Sequence, residues 1–341
     1  MSNYNLHTYI QSFSVLGEHL RNPDDELKSI IQTEKNLNAW FTPESVEAAI
    51  NAVAENLNSF DLTKWVQQYS IDESKPAKNV GLILAGNIPL VGFHDILSVL
   101  LSGNKALIKA SSQDTRLIKY VLNQLVRIDD GFAGRFEFVE RLKDFDAVIA
   151  TGSDNTSRYF EYYFGKVPHI IRKNRSSLAV LSGEETTEQL HALGHDIFDY
   201  FGLGCRNVSK LLVPQGYDFT PFFEAIEPYN NIANHHKYHN NYDYNKSIYL
   251  VNRDKHLDNG FLLVKEDNRL ASPLAVLFFE NYSDKASAEN IINSQTEKIQ
   301  CVVSGQPLQV NNQVVDFGHS QQPGLADYAD GVDTMKFLAG L

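Results

Sequence analysis

The feature that most constrains this chain is a change of rhythm near residue 79. Before it the apolar residues recur at helical spacing among frequent charges; after it, short apolar runs of strand length alternate with amphipathic stretches. The run Val80-Gly81-Leu82-Ile83-Leu84 reads as a strand, and Pro89 suits the first turn of a helix ending near Gly103. Residues 105–109 read as the next strand, 113–128 as a helix, 135–139 as a third strand and 147–150 as a fourth, stopping at Thr151-Gly152-Ser153. A helix follows over 154–164, with Ser153 or Asp154 as its N-cap. Strands joined through helices must run parallel, so the expected class is α/β.

The pattern continues with strands at 170–171 and 178–181, extending the same sheet, and a helix over 186–201. A second unit is expected from there, with strands at 211–213, 247–251, 261–264, 274–279 and 299–303 and helices near 218–225 and 284–293. The domain expectation is a helical preface and cofactor-binding domain over 1–200, a catalytic domain over 201–310, and a C-terminal segment over 311–341 that packs back or mediates association. A chain of 341 residues is long enough for two such bodies.

Composition narrows the partners. The 42 acidic residues outnumber the 30 basic ones, an excess that repels nucleic-acid backbones and anionic lipid. Residues 80–101 are the nearest approach to a membrane span, but Asn87, Pro89, His94 and Asp95 interrupt them, so no span is expected. The N-terminal residues show no basic region followed by an apolar run, which makes a cytoplasmic location the expectation. Two cysteines cannot build a disulfide framework, which fits a reducing compartment.

Several local patterns fail on inspection. Gly202-x-Gly204 has the first two glycines of a dinucleotide fingerprint but follows a helix, and position 207 is Asn. His191 and His195 share a helix face, yet Ala192 stands where a zinc-protease glutamate would be. His235, His236 and His239 read as part of a solvated loop, and no metal is assigned. The two cysteines differ: Cys301 lies within an apolar strand, whereas Cys205, between Gly204 and Arg206, sits on a turn where its sulfur can face a cleft.

Four segments occur in an order that resembles the aldehyde dehydrogenase superfamily. They are Gly86-Asn87-Ile88-Pro89-Leu90, Gly103-Asn104-Lys105-Ala106-Leu107-Ile108-Lys109, Thr151-Gly152-Ser153 and Gly202-Leu203-Gly204-Cys205. The segment from Tyr200 through Cys205-Arg206-Asn207 to Lys210, and that from Gln322 through Pro323-Gly324 to Thr334, are similar to the acyl-CoA reductase branch known from bacterial luminescence, the LuxC-like family. The resemblance runs from about residue 76 to the end. It implies an aldehyde dehydrogenase-like fold, with a Rossmann-type cofactor domain and an α/β catalytic domain.

The implied reaction is reduction of an acyl thioester, with a fatty acyl-CoA the expected substrate, to an aldehyde through an S-acyl enzyme on Cys205. The Asn87 side chain and the Cys205 backbone N–H would be the oxyanion donors. Hydrolytic relatives carry a Glu-Leu-Gly-Gly segment whose glutamate activates water. The stretch here, Arg172-Lys173-Asn174-Arg175-Ser176-Ser177-Leu178, has no carboxylate, which points to an acylating, CoA-linked enzyme. By the same resemblance Lys109 faces the adenosine ribose, and Ser112 replaces a glutamate that would repel a 2′-phosphate. Lys109, Ser111 and Ser112 therefore favour NADPH over NADH, with Thr151, Gly152 and Ser153 at the pyrophosphate. An acyl-phosphate reductase of the semialdehyde dehydrogenase type and a catalytically silent nucleotide-binding protein are the alternatives. An acyl-transferring or acyl-activating partner enzyme and a homo-oligomer remain open.

Overall fold

In the computed structural model, which describes residues 4–341, the chain forms two compact units. One runs up to Lys173 and takes in Gly324–Leu341; the other is the continuous stretch Asn174–Pro323. The first three residues of the expected helical preface lie outside the described residues.

The first unit opens with four helices, α1 (Leu6–Arg21), α2 (Asp25–Thr33), α3 (Pro43–Asn56) and α4 (Ser59–Val66). Each starts on a residue whose side-chain oxygen accepts a first-turn backbone N–H: Asn5, Asp24, Thr42 and Asn58. Then come β1 (Asn79–Ile83), α5 (Phe93–Leu101), β2 (Lys105–Lys109), α6 (Thr115–Ile128), β3 (Phe136–Phe138), β4 (Ala147–Thr151), α7 (Asp154–Phe164) and β5 (His169–Arg172). The five strands form one parallel sheet in the order β3-β2-β1-β4-β5. Its helices bury Phe13, Leu16, Ile50, Ile96 and Val121 in one core with Val80 and Leu82 of β1.

The second unit contains β6 (Ser176–Val180), α8 (Thr187–Phe198), β7 (Val208–Pro214), α9 (Thr220–Ile226), α10 (His236–Asn252), β8 (Leu257–Asp258), β9 (Leu263–Glu266), β10 (Val276–Tyr282), α11 (Lys285–Asn293), β11 (Ile299–Val303) and β12 (Gln313–Val315). Its sheet has the order β12-β11-β6-β7-β10-β9-β8, parallel except for the antiparallel β8–β9 edge. Successive residues alternate between two cores: Ala179, Leu211, Val213 and Val303 enter one, Leu178, Val180, Leu212 and Val302 the other. Near-continuous apolar strands follow from a sheet covered on both faces.

Four expectations are corrected. Residues 178–181 do not extend the first sheet, because β6 pairs with β7 and β11 in the second. Residues 174–200, drawn with the cofactor domain, thus lie in the second unit. Residues 247–251 are helical, the last turns of α10, where Leu250 and Val251 face solvent; β-branched and aromatic content mimicked a strand there. The histidines taken for a loop open that helix: His235 is its N-cap, its ring nitrogen accepting the Tyr238 N–H.

The last helix, α12 (Thr334–Ala339), returns to the first unit, where Leu325, Met335 and Leu338 join the core. A polar chain fixes this return. Trp65 Nε1 donates to the Tyr328 hydroxyl (2.7 Å), which lies 2.7 Å from the Tyr69 hydroxyl, which donates to Asp333 (3.1 Å). Burial, then the hydrogen bond with Tyr69 and the neighbouring Asp333 carboxylate, push the Tyr328 phenol well above its ordinary range. No helix among the described residues is long and apolar enough to cross a membrane.

Candidate functional site

The strand order of the first sheet creates a place for a ligand. From β1 the chain steps outward through β2 to β3 and then crosses back to lay β4 against the other side of β1, and at such a reversal the loops beyond the carboxyl ends of the strands part to form a crevice. Ile83, Lys109 and Ala150 are register partners at those ends. The three loops that follow carry the first-unit residues singled out from sequence: Asn87 after β1, Lys109, Ser111 and Ser112 at and after β2, and Thr151, Gly152 and Ser153 at and after β4.

The β1 loop does not enter a helix at Pro89. Residues 87–92 make bends and turns, α5 begins only at Phe93, and Leu90 adopts φ 57°, a left-handed conformation that costs a non-glycine residue about 1–3 kcal/mol. The buried Asp114 carboxyl, at the start of α6, accepts the Leu90 N–H at 2.8 Å and holds that conformation. Asn87 is exposed at the crest of the turn. Gly86 lies against Ser111 so closely that a Cβ there would stand 2.3 Å from Ser111 Oγ. Only glycine lets the first two loops meet.

Lys109 and Ser112 are exposed and Ser111 is half-buried. Beyond Ser112, α2 and α6 border a cavity of about 520 Å³ lined by Glu34, Ser112, Arg116 and Lys119 among others. At the third loop Ser153 caps α7, its hydroxyl accepting the Thr156 N–H at 3.3 Å. A helix N-terminus opening directly off the end of β4 offers backbone N–H groups and the positive dipole end to an anion. The donor set therefore fits a dinucleotide: a close glycine contact between loops, a cation and hydroxyls after β2, and a helix start after β4.

Cys205 lies in the second unit, on the turn between α8 and β7. The approach to it is unusually left-handed: Tyr200, Phe201, Gly202 and Gly204 all have positive φ. Cys205 is half-buried, whereas Cys301 is fully buried in β11, and neither forms a disulfide. The Arg206 guanidinium donates to the Ser320 carbonyl (3.4 Å) and to Gln313 (3.2 Å). Downstream, the fully buried Lys210 is paired with Glu280 and donates to the Asn268 carbonyl.

Where hydrolytic relatives were expected to differ, β5 ends on Arg172, whose guanidinium makes a buried two-point contact with Asp95 (2.5 and 2.8 Å) and donates to Thr334 (3.0 Å). Asp114, Ser177 and this ion pair were not singled out from sequence. A carboxylate at a helix start and a serine in a strand carry no local signal of what they will hold. Among the described residues, no group of three or more His, Cys, Asp or Glu is arranged to hold a metal ion.

Comparison with known proteins agrees with this layout. The acyl-CoA reductase (LuxC) family matches residues 16–221. No curated protein sequence matches. Among solved structures, a Burkholderia cenocepacia protein classed with the aldehyde dehydrogenases superposes with a TM-score of 0.72 at 15% identity, covering 99% of this chain and 85% of the other. Aldehyde dehydrogenase 21 from Physcomitrella patens, solved with succinate, gives 0.69 at 12% identity, covering 98% and 80%. A Mycobacterium tuberculosis aldehyde dehydrogenase, solved with NAD+, gives 0.65 at 13%, covering 92% and 77%. The fold is aldehyde dehydrogenase-like.

Proposed function

The chain belongs to the acyl-CoA reductase (LuxC) family, and from that premise we propose that it reduces a fatty acyl-CoA to the aldehyde with NADPH, through an S-acyl enzyme on Cys205. The observation that carries the reading is the contrast between the two cysteines: Cys205 is half-exposed on a turn, and Cys301 is sealed in a strand. The Cys205 thiolate attacks the acyl carbonyl, a carbon–sulfur bond forms, and the coenzyme A thiolate leaves and takes a proton. The family resemblance assigns stabilisation of the oxyanion formed on the way to the Asn87 side-chain amide and the Cys205 backbone N–H.

When bound, reduced nicotinamide supplies the hydride that brings the acyl carbon to the aldehyde level. Cys205 then serves as the leaving group and returns to its thiolate form. Lys109, Ser111 and Ser112 are assigned to the ribose end of the cofactor, and the α7 start to its pyrophosphate. Arg172, tied to Asp95 and Thr334, offers no base to water in the stretch where a hydrolytic enzyme would carry its glutamate, which favours survival of the thioester. An acyl-transferring partner enzyme would supply the substrate.

Intact-mass measurement tests the proposal. Mixing the protein with saturated acyl-CoAs should add one acyl group, absent from Cys205→Ala, retained in Cys301→Ala, and discharged by NADPH. Turnover of acyl phosphates without acyl-CoAs would favour the phosphate-linked alternative, and a wild-type protein that takes no acyl group from either would be a binding protein.

A further inference from the structure

Ser177 occupies a singular place in the second sheet, because the ladder is broken beside it on both sides. Toward β7 the register moves from Ser177↔Val208 to Leu178↔Lys210, leaving Ser209 over. Toward β11 it moves from Ser176↔Ile299 to Leu178↔Val302, so that Gln300 and Cys301 stand opposite one residue. Bulges of this kind deprive backbone groups of their ladder partners, and buried groups so deprived must find others.

The Ser177 hydroxyl supplies them. It is fully buried, donates to the Cys205 carbonyl at 3.0 Å, accepts the Cys301 N–H at 3.2 Å, and stands 3.1 Å from the Cys301 sulfur. One donor and two acceptor directions are thereby all engaged. The Cys205 turn needs such a tie. Gly202 and Gly204 give the chain before it wide conformational freedom, and β7 begins only at Val208.

We propose that Ser177 is a positioning residue for Cys205, its hydroxyl pinning the Cys205 carbonyl toward β6 and so fixing the direction of the Cys205 side chain and backbone N–H. The inference rests on the reading of Cys205 as the nucleophile. Without the tie, the 205–206 peptide can turn its carbonyl dipole toward the sulfur, which disfavours the thiolate.

The test is the pH dependence of Cys205 alkylation by iodoacetamide, located by peptide mass, together with kcat and KM for acyl-CoA reduction. Ser177→Ala should move the alkylation curve to higher pH and lower kcat by about three- to tenfold, the weight of one hydrogen bond, with KM little changed. Ser177→Thr, which keeps the hydroxyl, should restore both. A folded Ser177→Ala protein with the wild-type curve and kcat overturns the proposal. Should that variant not fold, amide exchange in the wild type decides: a protected Cys301 N–H supports the tie, and exchange at the rate of a loop amide overturns it. Alkylation needs no acyl-CoA, so a wild type that forms no acyl adduct would defeat the parent reading while leaving the positioning measurable.

Discussion

The carboxyl of Asp114 accepts the backbone N–H of Leu90 at 2.8 Å, and both residues are buried. Among the described residues its other oxygen, Oδ1, has no hydrogen-bond partner. Burial pushes this carboxyl up to about 8, with nearby Glu34 adding to the rise and the Leu90 N–H opposing it. Its folded pKa thus exceeds its unfolded value. Between the two the folded state binds the extra proton, so the contribution of this group to stability is most favourable below about pH 4 and falls as pH rises toward 8. Asp114→Asn keeps an acceptor for Leu90 and removes the charge. Urea unfolding should show a gain that grows from pH 5 to pH 8, on the order of a few kcal/mol, and levels off above. An equal gain at both values would contradict this account.

Asn87, exposed at the crest of the first loop, is assigned an interaction made at the oxyanion. Asn87→Ala should lower kcat by about 10² to 10³ and leave KM nearly unchanged. Iodoacetamide labelling of Cys205 should proceed at the wild-type rate, because the thiol does not depend on that amide.

Cofactor preference should turn on Ser112. A carboxylate introduced by Ser112→Glu would face the 2′-phosphate and raise the KM for NADPH by about tenfold or more, leaving that for NADH within about twofold. Equal changes for both cofactors would remove Ser112 from the ribose end.

The Asp95–Arg172 pair is buried, two-pointed and joined to Thr334. Removing one partner leaves the other charge stranded, so Arg172→Met should destabilise the protein by about 3–5 kcal/mol in urea unfolding. Asp95→Asn with Arg172→Met should recover much of the loss, since the double change leaves no ion behind.

What was legible in the sequence were features with a period or a fixed spacing. Strands such as Val80–Leu84 and helices such as 113–128 announced themselves by apolar rhythm, and the loops after β1, β2 and β4 by their glycines and hydroxyls. What was not legible depended on pairing across distance. Residues 178–181 read correctly as a strand, but nothing local says that β6 joins β7 and β11 rather than β5. The run Ile248-Tyr249-Leu250-Val251 has strand-like composition and lies in a helix, because its neighbours along α10 carry the helix through. Asp114 and Ser177 act through backbone groups of residues far away in the chain, and backbone partners leave no trace in residue identity.

The return of Gly324–Leu341 to the first unit bears on how the chain is made. Asn174–Pro323 is unbroken and can fold as soon as it emerges during synthesis, whereas the earlier unit must wait with Trp65, Tyr69 and Arg172 lacking partners they hold in the finished fold until Tyr328, Asp333 and Thr334 have followed. The later half of the protein thereby becomes finished first, and a message cut short before Gly324 would yield a product with one sound body and one sticky, incomplete one.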